Sequence, residues 1–206
     1  MTRVKICGVT RADQAEQIAD LGADALGLNF VPGGRRRIDT AVAAEICQTL
    51  KGRLCLVAVL VDPAAAEVEA ILSRCDLDYL QFSGSEPQEV CAGFGLPYIK
   101  AVHMRERNDA ARAADVYADA AALLLDTFVP GQAGGTGETF DWAQWPGDVG
   151  VPLMLAGGLT PANVAAAIRQ TKPSWVDVAS GVERGEKGVK DMNKVQQFLE
   201  AAAQTS

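Results

Sequence analysis

A cysteine and an aspartate stand at the ends of two apolar segments that lie far apart in the sequence. Cys7 closes the segment 4–7 and is followed at once by Gly8, and Asp126 closes the segment 121–126. If both segments are strands of one parallel barrel, the thiol and the carboxyl group meet at the rim where such barrels keep their active sites. There the two groups can act as a base and an acid, so they are the first candidates for catalysis.

The two groups need different surroundings to act in this way. Cys7 must be a thiolate, which requires nearby positive charge or hydrogen-bond donors. Asp126 must hold a proton near neutral pH, which an apolar, covered pocket favours. Lys5 lies two positions before Cys7, so both point to the barrel interior if the segment is a strand. Lys5 therefore acts near the site, or it is the Schiff-base lysine of a different enzyme.

Two later segments carry the residue types that bind anions. The turns 156–161 and 180–183 are rich in glycine and follow the seventh and eighth apolar segments. Turns after the last two strands of such barrels often bind phosphate with glycine amides and a helix N-terminus. Arg36, in the loop 32–38, can hold a carboxylate with a bidentate pair, but the same run of arginines is equally typical of a solvated loop. These patterns predict a phosphorylated ligand.

The elements that must position these groups alternate along the whole chain. Short Val-, Leu- and Ile-rich segments are typical of parallel strands buried on both faces, and helical segments with capping signals separate them. Residues 1–206 are therefore predicted to form a single α/β domain, a (β/α)8 TIM barrel with a glycine-rich loop after strand 6. The predicted strands are Val4–Cys7, Ala25–Phe30, Leu54–Val61, Tyr79–Phe82, Tyr98–Val102, Ala122–Asp126, Pro152–Ala156 and Val176–Ala179.

The helices are predicted from their caps. Thr10 opens 12–21, Thr40 opens 41–50, and a third helix runs from Asp62-Pro63 to about Cys75. Three more helices are predicted at 108–118, from Thr160-Pro161 to about 170, and at 191–202. The glycine-rich loop 127–137 directly follows Asp126, which favours a lid over a merely flexible connection.

Composition excludes several classes of function. The net charge of −7 argues against nucleic-acid and anionic-membrane partners. Five scattered cysteines without a C-x-x-C pair fit reduced thiols in a cytoplasm, and no signal peptide is expected. The single histidine, His103, excludes multi-histidine zinc sites, and no chemistry is assigned to it. We predict the remaining cysteines to be buried apolar residues: Cys47, Cys55, Cys75 and Cys91.

Taken together, these motifs resemble the phosphoribosylanthranilate isomerases of tryptophan biosynthesis. The resemblance covers nearly the whole chain and rests on several distinctive segments. They are Lys5-Ile6-Cys7-Gly8 with Thr10, Arg36, Val57–Val61, Tyr79–Phe82, Leu124–Asp126, Gly134–Gly137 with Phe140–Trp142, Leu155–Leu159, and Ser180–Glu183 with Gly188, Lys190 and Asp191.

The resemblance implies a reaction and a role for each site residue. Cys7 would be the general base, Asp126 the general acid, and Arg36 the group that holds the anthranilate carboxylate of the substrate. The reaction would be an Amadori rearrangement that needs no metal and no organic cofactor, in an enzyme that is a monomer or a homodimer. The residues matching the family's phosphate-binding turns are Gly157, Gly158, Gly181 and Val182.

The chain departs from the family at one site position. The family usually has a histidine after the fourth strand, in a Gln-x-His-Gly pattern, whereas this chain reads Gln81-Phe82-Ser83-Gly84. Ser83 removes an aromatic donor but neither of the two proposed proton carriers. The arginine-rich loop also leaves open which of residues 35–37 binds the carboxylate.

Rival interpretations remain open at this point. Three rivals are other phosphosugar barrels. One is an epimerase, and another is the related aminoaldose isomerase of histidine biosynthesis, which uses paired aspartates and is therefore disfavoured by a cysteine at the end of the first strand. The third is an indole-glycerol-phosphate synthase, whose catalytic lysine and glutamate we cannot place in this sequence. If the chain is instead a catalytically silent phospho-ligand binding protein, Ser83 would mark the early loss of the family's site histidine. A redox sensor based on Cys7 lacks a resolving cysteine nearby in the sequence.

Overall fold

The computed structural model describes residues 1–127 and 142–205. Its parallel strands close into a barrel in sequence order, with β1 paired to β8, so the predicted TIM barrel is confirmed. The strands are β1 (Arg3–Cys7), β2 (Ala25–Asn29), β3 (Cys55–Leu60), β4 (Tyr79–Phe82), β5 (Tyr98–Met104), β6 (Ala122–Thr127), β7 (Leu153–Leu155) and β8 (Trp175–Val178).

Alternate residues of each strand face two different apolar layers. On β3, Leu56 and Ala58 pack between the barrel and its helices, whereas Val57 lies in the barrel interior. The same alternation on β1 turns Lys5 and Cys7 inward, because their neighbours on the strand belong to the outer layer. Burial on both faces explains why these strands read as continuous apolar runs in the sequence.

The helices surround the barrel and differ from the predictions mainly at their starts. Within the described residues they are α1 (Ala12–Asp20), α2 (Thr40–Leu50), α3 (Ala65–Leu72), α4 (Gln88–Cys91), α5 (Asp109–Val116), α6 (Val164–Thr171) and α7 (Met192–Ala203). The sequence reading missed α4, because a single turn with one buried residue has no detectable helical period. Among the helices of residues 1–127 and 142–205, none combines the length and the apolar composition that a membrane span requires.

Two predicted caps are wrong, because the side chains serve other contacts. Asp39 rather than Thr40 caps α2, and it accepts a hydrogen bond of 2.8 Å from the amide of Ala41. Thr10 does not cap α1; its hydroxyl donates to the carbonyl of Gly188 at 2.9 Å. That bond ties the turn after β1 to the loop after β8, so the hydroxyl supports the rim of the barrel instead of a helix.

Two helices begin later than predicted, because turns at the rim precede them. Asp62 adopts a left-handed conformation (φ 44°) and accepts a hydrogen bond from the amide of Ser85, so α3 starts only at Ala65. Before α6, the side chain of Asn163 bonds both the amide of Thr160 (2.7 Å) and the carbonyl of Gly158 (3.0 Å). These bonds hold a compact turn in place of the first predicted helical turn.

The last helix completes the outer layer. Asp191 caps α7, with its side chain accepting from the amides at 193 and 194. Val195, Phe198 and Ala202 are buried on one face of the helix, which packs against α1 and α6. The first and last helices, α1 and α7, therefore lie side by side where β8 pairs with β1.

Candidate active site

Cys7 and Asp126 line the same cavity at the carboxyl ends of the strands, as the sequence predicted. The cavity measures about 710 Å³ and also contains Arg36, Asp177 and His103 in its wall. Strand alternation explains the meeting, because β6 and β8 turn Asp126 and Asp177 inward just as β1 turns Cys7 inward. A ligand in this cavity can contact the thiol and the carboxyl group at once.

Two glycines make room for Cys7 and Arg36 beside each other. A Cβ atom at Gly27, on the neighbouring strand, would lie 2.7 Å from the Cys7 sulfur. A Cβ atom at Gly8 would lie 2.4 Å from Cδ of Arg36, and Gly8 also has a positive φ of 73°. Larger residues at either position would collide with a site residue, so both glycines are required by this arrangement.

Lys5 precedes Cys7 on β1, further from the rim, and its charged side chain is fully buried. Its side chain is 0% exposed, and Nζ donates to Oε1 of Gln81 at 2.9 Å and to Oδ1 of Asp177 at 2.7 Å. The nearby carboxylate offsets the cost of burying the ammonium group. Burial alone would lower the pKa of Lys5, but the charge and hydrogen bond of Asp177 together with the influence of Cys7 outweigh it, and the pKa lies above its ordinary value. Lys5 is therefore a permanent cation in the barrel interior.

The thiol of Cys7 experiences opposing influences. Burial raises its pKa, and the negative charge of Asp177 raises it further. The positive charges of Lys5 and Lys190 act in the opposite direction, together with a hydrogen bond from Lys5, but they do not cancel the rise. Without a ligand, Cys7 is therefore harder to ionise than an ordinary cysteine, which the sequence did not predict.

Arg36 is held by a carboxylate that the sequence reading assigned no role. Its Nε and Nη2 donate to the two oxygens of Glu183 at 2.7 and 2.9 Å. Glu183 also accepts hydrogen bonds from Lys190 at 3.1 Å and from the amide of Gly188 at 2.9 Å. A guanidinium carries five N–H donors, and this pair uses two of them. Arg36 is thus fixed with donors left for a ligand.

The position of Arg36 distinguishes it from its two neighbours. Arg36 is half-buried against Gly8, next to Cys7, whereas Arg35 is exposed at the edge of the same cavity. The backbone of Arg37 pairs with Asn29, and its exposed side chain lines a separate surface cavity. Of the three arginines, Arg36 alone lies beside the thiol.

The Glu183 pair gives the fold a defined sensitivity to acid. Burial alone would raise the pKa of Glu183, but the hydrogen bonds from Arg36 and the charge of Lys190 lower it to about 2, from an ordinary value of 4.5. The carboxylate therefore contributes stability that is fully present above pH 4.5 and is lost as the pH falls through about 2. We expect this loss to be on the order of 3 kcal/mol in the free energy of unfolding, measured by urea titrations at a series of pH values.

A matched pair of variants isolates this contribution. Glu183→Gln removes the titrating group and should flatten the acid dependence in that window, whereas Glu16→Gln, at an exposed glutamate of α1, should leave it intact. An equally steep acid dependence in Glu183→Gln and the wild type would show that other carboxylates cause it.

The two glycine turns after β7 and β8 meet at the rim. A Cβ atom at Gly181 would lie 1.9 Å from the carbonyl oxygen of Leu159, so the turn after β8 packs directly on the turn after β7. Gly157 and Gly158 both have positive φ, 82° and 61°. Within residues 1–127 and 142–205, no group accepts a hydrogen bond from the amides of Gly157, Gly158 or Gly181, whereas Val182 lies within a 3-10 turn, Ser180–Val182. Three neighbouring unpaired amides are a suitable site for an anion.

Ser83, at the position where the resembling family has histidine, bonds another site residue. Its hydroxyl accepts a hydrogen bond of 3.2 Å from Nε2 of Gln81, whose Oε1 accepts from Lys5. His103 on β5 lies in register with Asp126 on β6 and lines the same cavity, and burial lowers its pKa. His103 is thus a mainly neutral neighbour of the candidate acid.

One sequence prediction falls mostly outside this description. The lid predicted at 127–137 lies, after Thr127, outside the described residues. Across the described ranges, no group of three or more His, Cys, Asp or Glu side chains is arranged to hold a metal ion.

Comparisons with known proteins agree on one family. The family model described as "N-(5'phosphoribosyl)anthranilate (PRA) isomerase" matches residues 4–201. An N-(5'-phosphoribosyl)anthranilate isomerase of Alcanivorax borkumensis is 44% identical over 203 residues, covering 96% of this chain and 93% of the relative.

Solved structures extend the agreement to the fold. Phosphoribosyl anthranilate isomerase from Thermotoga maritima superposes with a TM-score of 0.90 at 36% identity, covering 99% of this chain and 100% of that one. A phosphoribosyl anthranilate isomerase crystallised in complex with reduced 1-(o-carboxyphenylamino)-1-deoxyribulose 5-phosphate superposes with a TM-score of 0.83 at 33% identity, covering 99% and 100%. The chain therefore belongs to the N-(5'-phosphoribosyl)anthranilate isomerase family.

Proposed function

We propose that this protein catalyses the Amadori rearrangement of N-(5-phosphoribosyl)anthranilate to 1-(2-carboxyphenylamino)-1-deoxyribulose 5-phosphate in tryptophan biosynthesis. Cys7 is the general base and Asp126 the general acid. The observation that carries the proposal is that both side chains line one cavity of about 710 Å³, a size typical of small-molecule sites. The relative crystallised with a reduced form of the same carboxyphenylamino sugar phosphate supports the choice of substrate.

Asp126 and Cys7 each transfer one proton, and the reaction leaves the overall oxidation level unchanged. Asp126 donates a proton to the ribose ring oxygen, the C1–O bond breaks, and the nitrogen lone pair forms a protonated imine at C1. Cys7, as thiolate, then removes the proton from C2, and the C–H electron pair flows into the imine to give an enolamine. The enolamine takes a proton at C1 while its 2-hydroxyl loses one, which yields the ketone. The protonated imine makes the C2 proton acidic, so the step needs no cofactor.

The two anionic ends of the substrate hold it between the acid and the base. The turns that contain Gly157, Gly158, Gly181 and Val182 bind the phosphate, because backbone N–H groups and a nearby helix start attract anions. Arg36 binds the anthranilate carboxylate with the N–H groups that Glu183 does not use. Gripping both ends supplies the orientation that acid–base steps require.

Several features of the whole chain complete the proposal. We infer that residues 1–206 are a single domain, which the pairing of β8 with β1 and the packing of α7 on α1 support. The protein acts on a small phosphorylated molecule in the cytoplasm, as a monomer or a homodimer, without nucleic-acid or membrane partners.

A turnover assay with freshly made phosphoribosylanthranilate tests the proposal. We expect the fluorescence of phosphoribosylanthranilate to disappear at an enzyme-dependent rate, and the matching aniline derivative, which lacks the carboxylate, to react much more slowly. The second result is expected because Arg36 would have no partner on that compound. Saturable binding of the substrate without turnover would instead identify a silent phospho-ligand binding protein.

A further inference from the structure

We propose that Lys5 is a positioning residue that sets how readily Cys7 ionises, in opposition to Asp177, and that Gln81 and Ser83 fix where the Lys5 ammonium group lies. The kinetic part of this inference rests on the function proposed above, since it takes Cys7 as the base. The ionisation of the thiol itself can be measured without any turnover.

The contacts of Lys5 fix its ammonium group in the barrel interior. Two of its three N–H donors are used by Gln81 at 2.9 Å and by Asp177 at 2.7 Å. The Lys5 side chain is 0% exposed, so water does not screen its charge. Cys7 lies two residues further along the same inward face of β1, and the charge of Lys5 favours the ionised form of its thiol. Lys5 is therefore held by two acceptors in a position from which its charge acts on the sulfur.

Ser83 holds the far end of the Gln81 amide that binds Lys5. Nε2 of Gln81 donates to the hydroxyl of Ser83, and Oε1 accepts from the ammonium group. A flipped amide would present N–H groups to a cation, so Lys5 itself sets which end of the amide faces it. The serine in place of the family's histidine thus has a structural task, which is to anchor the amide that holds Lys5.

Asp177 works against the thiolate through the same lysine. Its carboxylate takes one ammonium donor and places a negative charge near the sulfur, where a like charge disfavours ionisation. Removing the charge of Asp177 would leave the positive charge of Lys5 free to stabilise the Cys7 thiolate. Removing Lys5 would leave the thiol beside a carboxylate without a compensating cation. The two changes must therefore shift the ionisation of Cys7 in opposite directions. Other charged or titratable groups line the same cavity or lie close to the thiol: Arg35, Arg36, His103, Asp126, Glu183, Lys187 and Lys190.

The test is a titration of the Cys7 thiol in single variants. The rate of alkylation by iodoacetamide is measured as a function of pH on the peptide that carries Cys7, by mass spectrometry. We expect Asp177→Asn to move the midpoint to lower pH and Lys5→Met to move it to higher pH, each by about 1 pH unit or more. Ser83→Ala should move it less, in the same direction as Lys5→Met.

Controls separate this effect from a general loss of structure. Lys100 is another buried lysine, but it faces outward from β5 and pairs with Glu86, so Lys100→Met should leave the Cys7 midpoint unchanged. If Lys5→Met does not fold, Asp177→Asn alone tests the proposal. A general loosening of the structure would weaken the effect of Lys5 on the thiol and move the midpoint to higher pH, whereas the proposal expects Asp177→Asn to move it to lower pH. Unchanged midpoints in Lys5→Met and Asp177→Asn would overturn the proposal.

The kinetic readout distinguishes this inference from the proposed function. The pH dependence of kcat/KM should move with the thiol midpoint in each variant, because the base must be ionised to act. If the midpoints shift but the wild-type protein does not turn over the substrate, the proposed function fails and the role of Lys5 stands. If turnover is present but the midpoints do not shift, the role of Lys5 fails alone.

Discussion

We expect the Cys7→Ala variant to fold and to lose about 10²–10⁴-fold in kcat/KM for the proposed isomerisation. The substitution removes the group that takes the proton from C2, and no other side chain on β1 reaches the cavity from that position. The cost to the fold is small, because the sulfur lies at the cavity wall above Gly27 rather than within the outer core. Steady-state turnover and the urea midpoint of unfolding measure the two effects separately.

A second cysteine provides the matched control. Cys91 is fully buried in the outer layer and does not line the cavity, so Cys91→Ala should lower stability but retain activity. Turnover near the wild-type level in Cys7→Ala would remove Cys7 from the mechanism and direct attention to Asp177 as the alternative base on the same wall.

The pH dependence of the wild-type rate bears on the same residue. Because burial and Asp177 raise the pKa of Cys7, only a minor fraction of the thiol is ionised near neutral pH in the free protein. The base acts in its ionised form, so kcat/KM of the wild type should rise as the pH increases into the alkaline range. The residual activity of Cys7→Ala should lack that rise.

The sequence predicted those parts of the site that depend on one strand at a time. Alternation along the first apolar segment was enough to turn Lys5 and Cys7 inward, and the position of Asp126 at the end of another segment put it at the same rim. Glycines at the ends of the last two strands likewise marked turns that the structure packs together. These inferences need only the period of a strand and the rule that parallel strands end at one face.

Contacts between distant strands were beyond the sequence reading. Lys5 and Asp177 are 172 residues apart, and they meet only because barrel closure puts them opposite each other on β1 and β8. The pair between Arg36 and Glu183 spans 147 residues in the same way. Neither carboxylate lies in a motif whose spacing reveals its partner. Both carboxylates change how the site is interpreted, since Asp177 opposes the ionisation of Cys7 and Glu183 fixes Arg36.

The choice among the three arginines also required the fold. All three have the same type and lie in one loop, so composition could not rank them. The backbone pairing of Arg37 with Asn29 anchors the loop beside β2, and Arg36 then packs on Gly8 next to the thiol. The requirement for glycine at position 8 was visible in the sequence, but the side chain that imposes it was not.

We expect Asp126→Asn to lower kcat/KM by about 10²–10⁴-fold, because an amide cannot give a proton to the ribose ring oxygen. The amide keeps the shape of the carboxyl group, so the cavity wall should persist. Asp115→Asn, at an exposed position of α5, changes the charge of the protein equally and should leave the rate unchanged. Unimpaired turnover in Asp126→Asn would remove this residue from the mechanism.

Substrate deuterated at C2 assigns the two steps to the two residues. Cys7 breaks the C2–H bond, so its loss should keep that step rate-limiting and retain a full deuterium isotope effect on kcat/KM. Asp126 opens the ring, so in Asp126→Asn the ring opening becomes limiting and the isotope effect should fall towards unity. If Asp126→Asn instead showed the larger isotope effect, the carboxyl group would belong to the proton removal at C2, and the roles of acid and base would have to be exchanged.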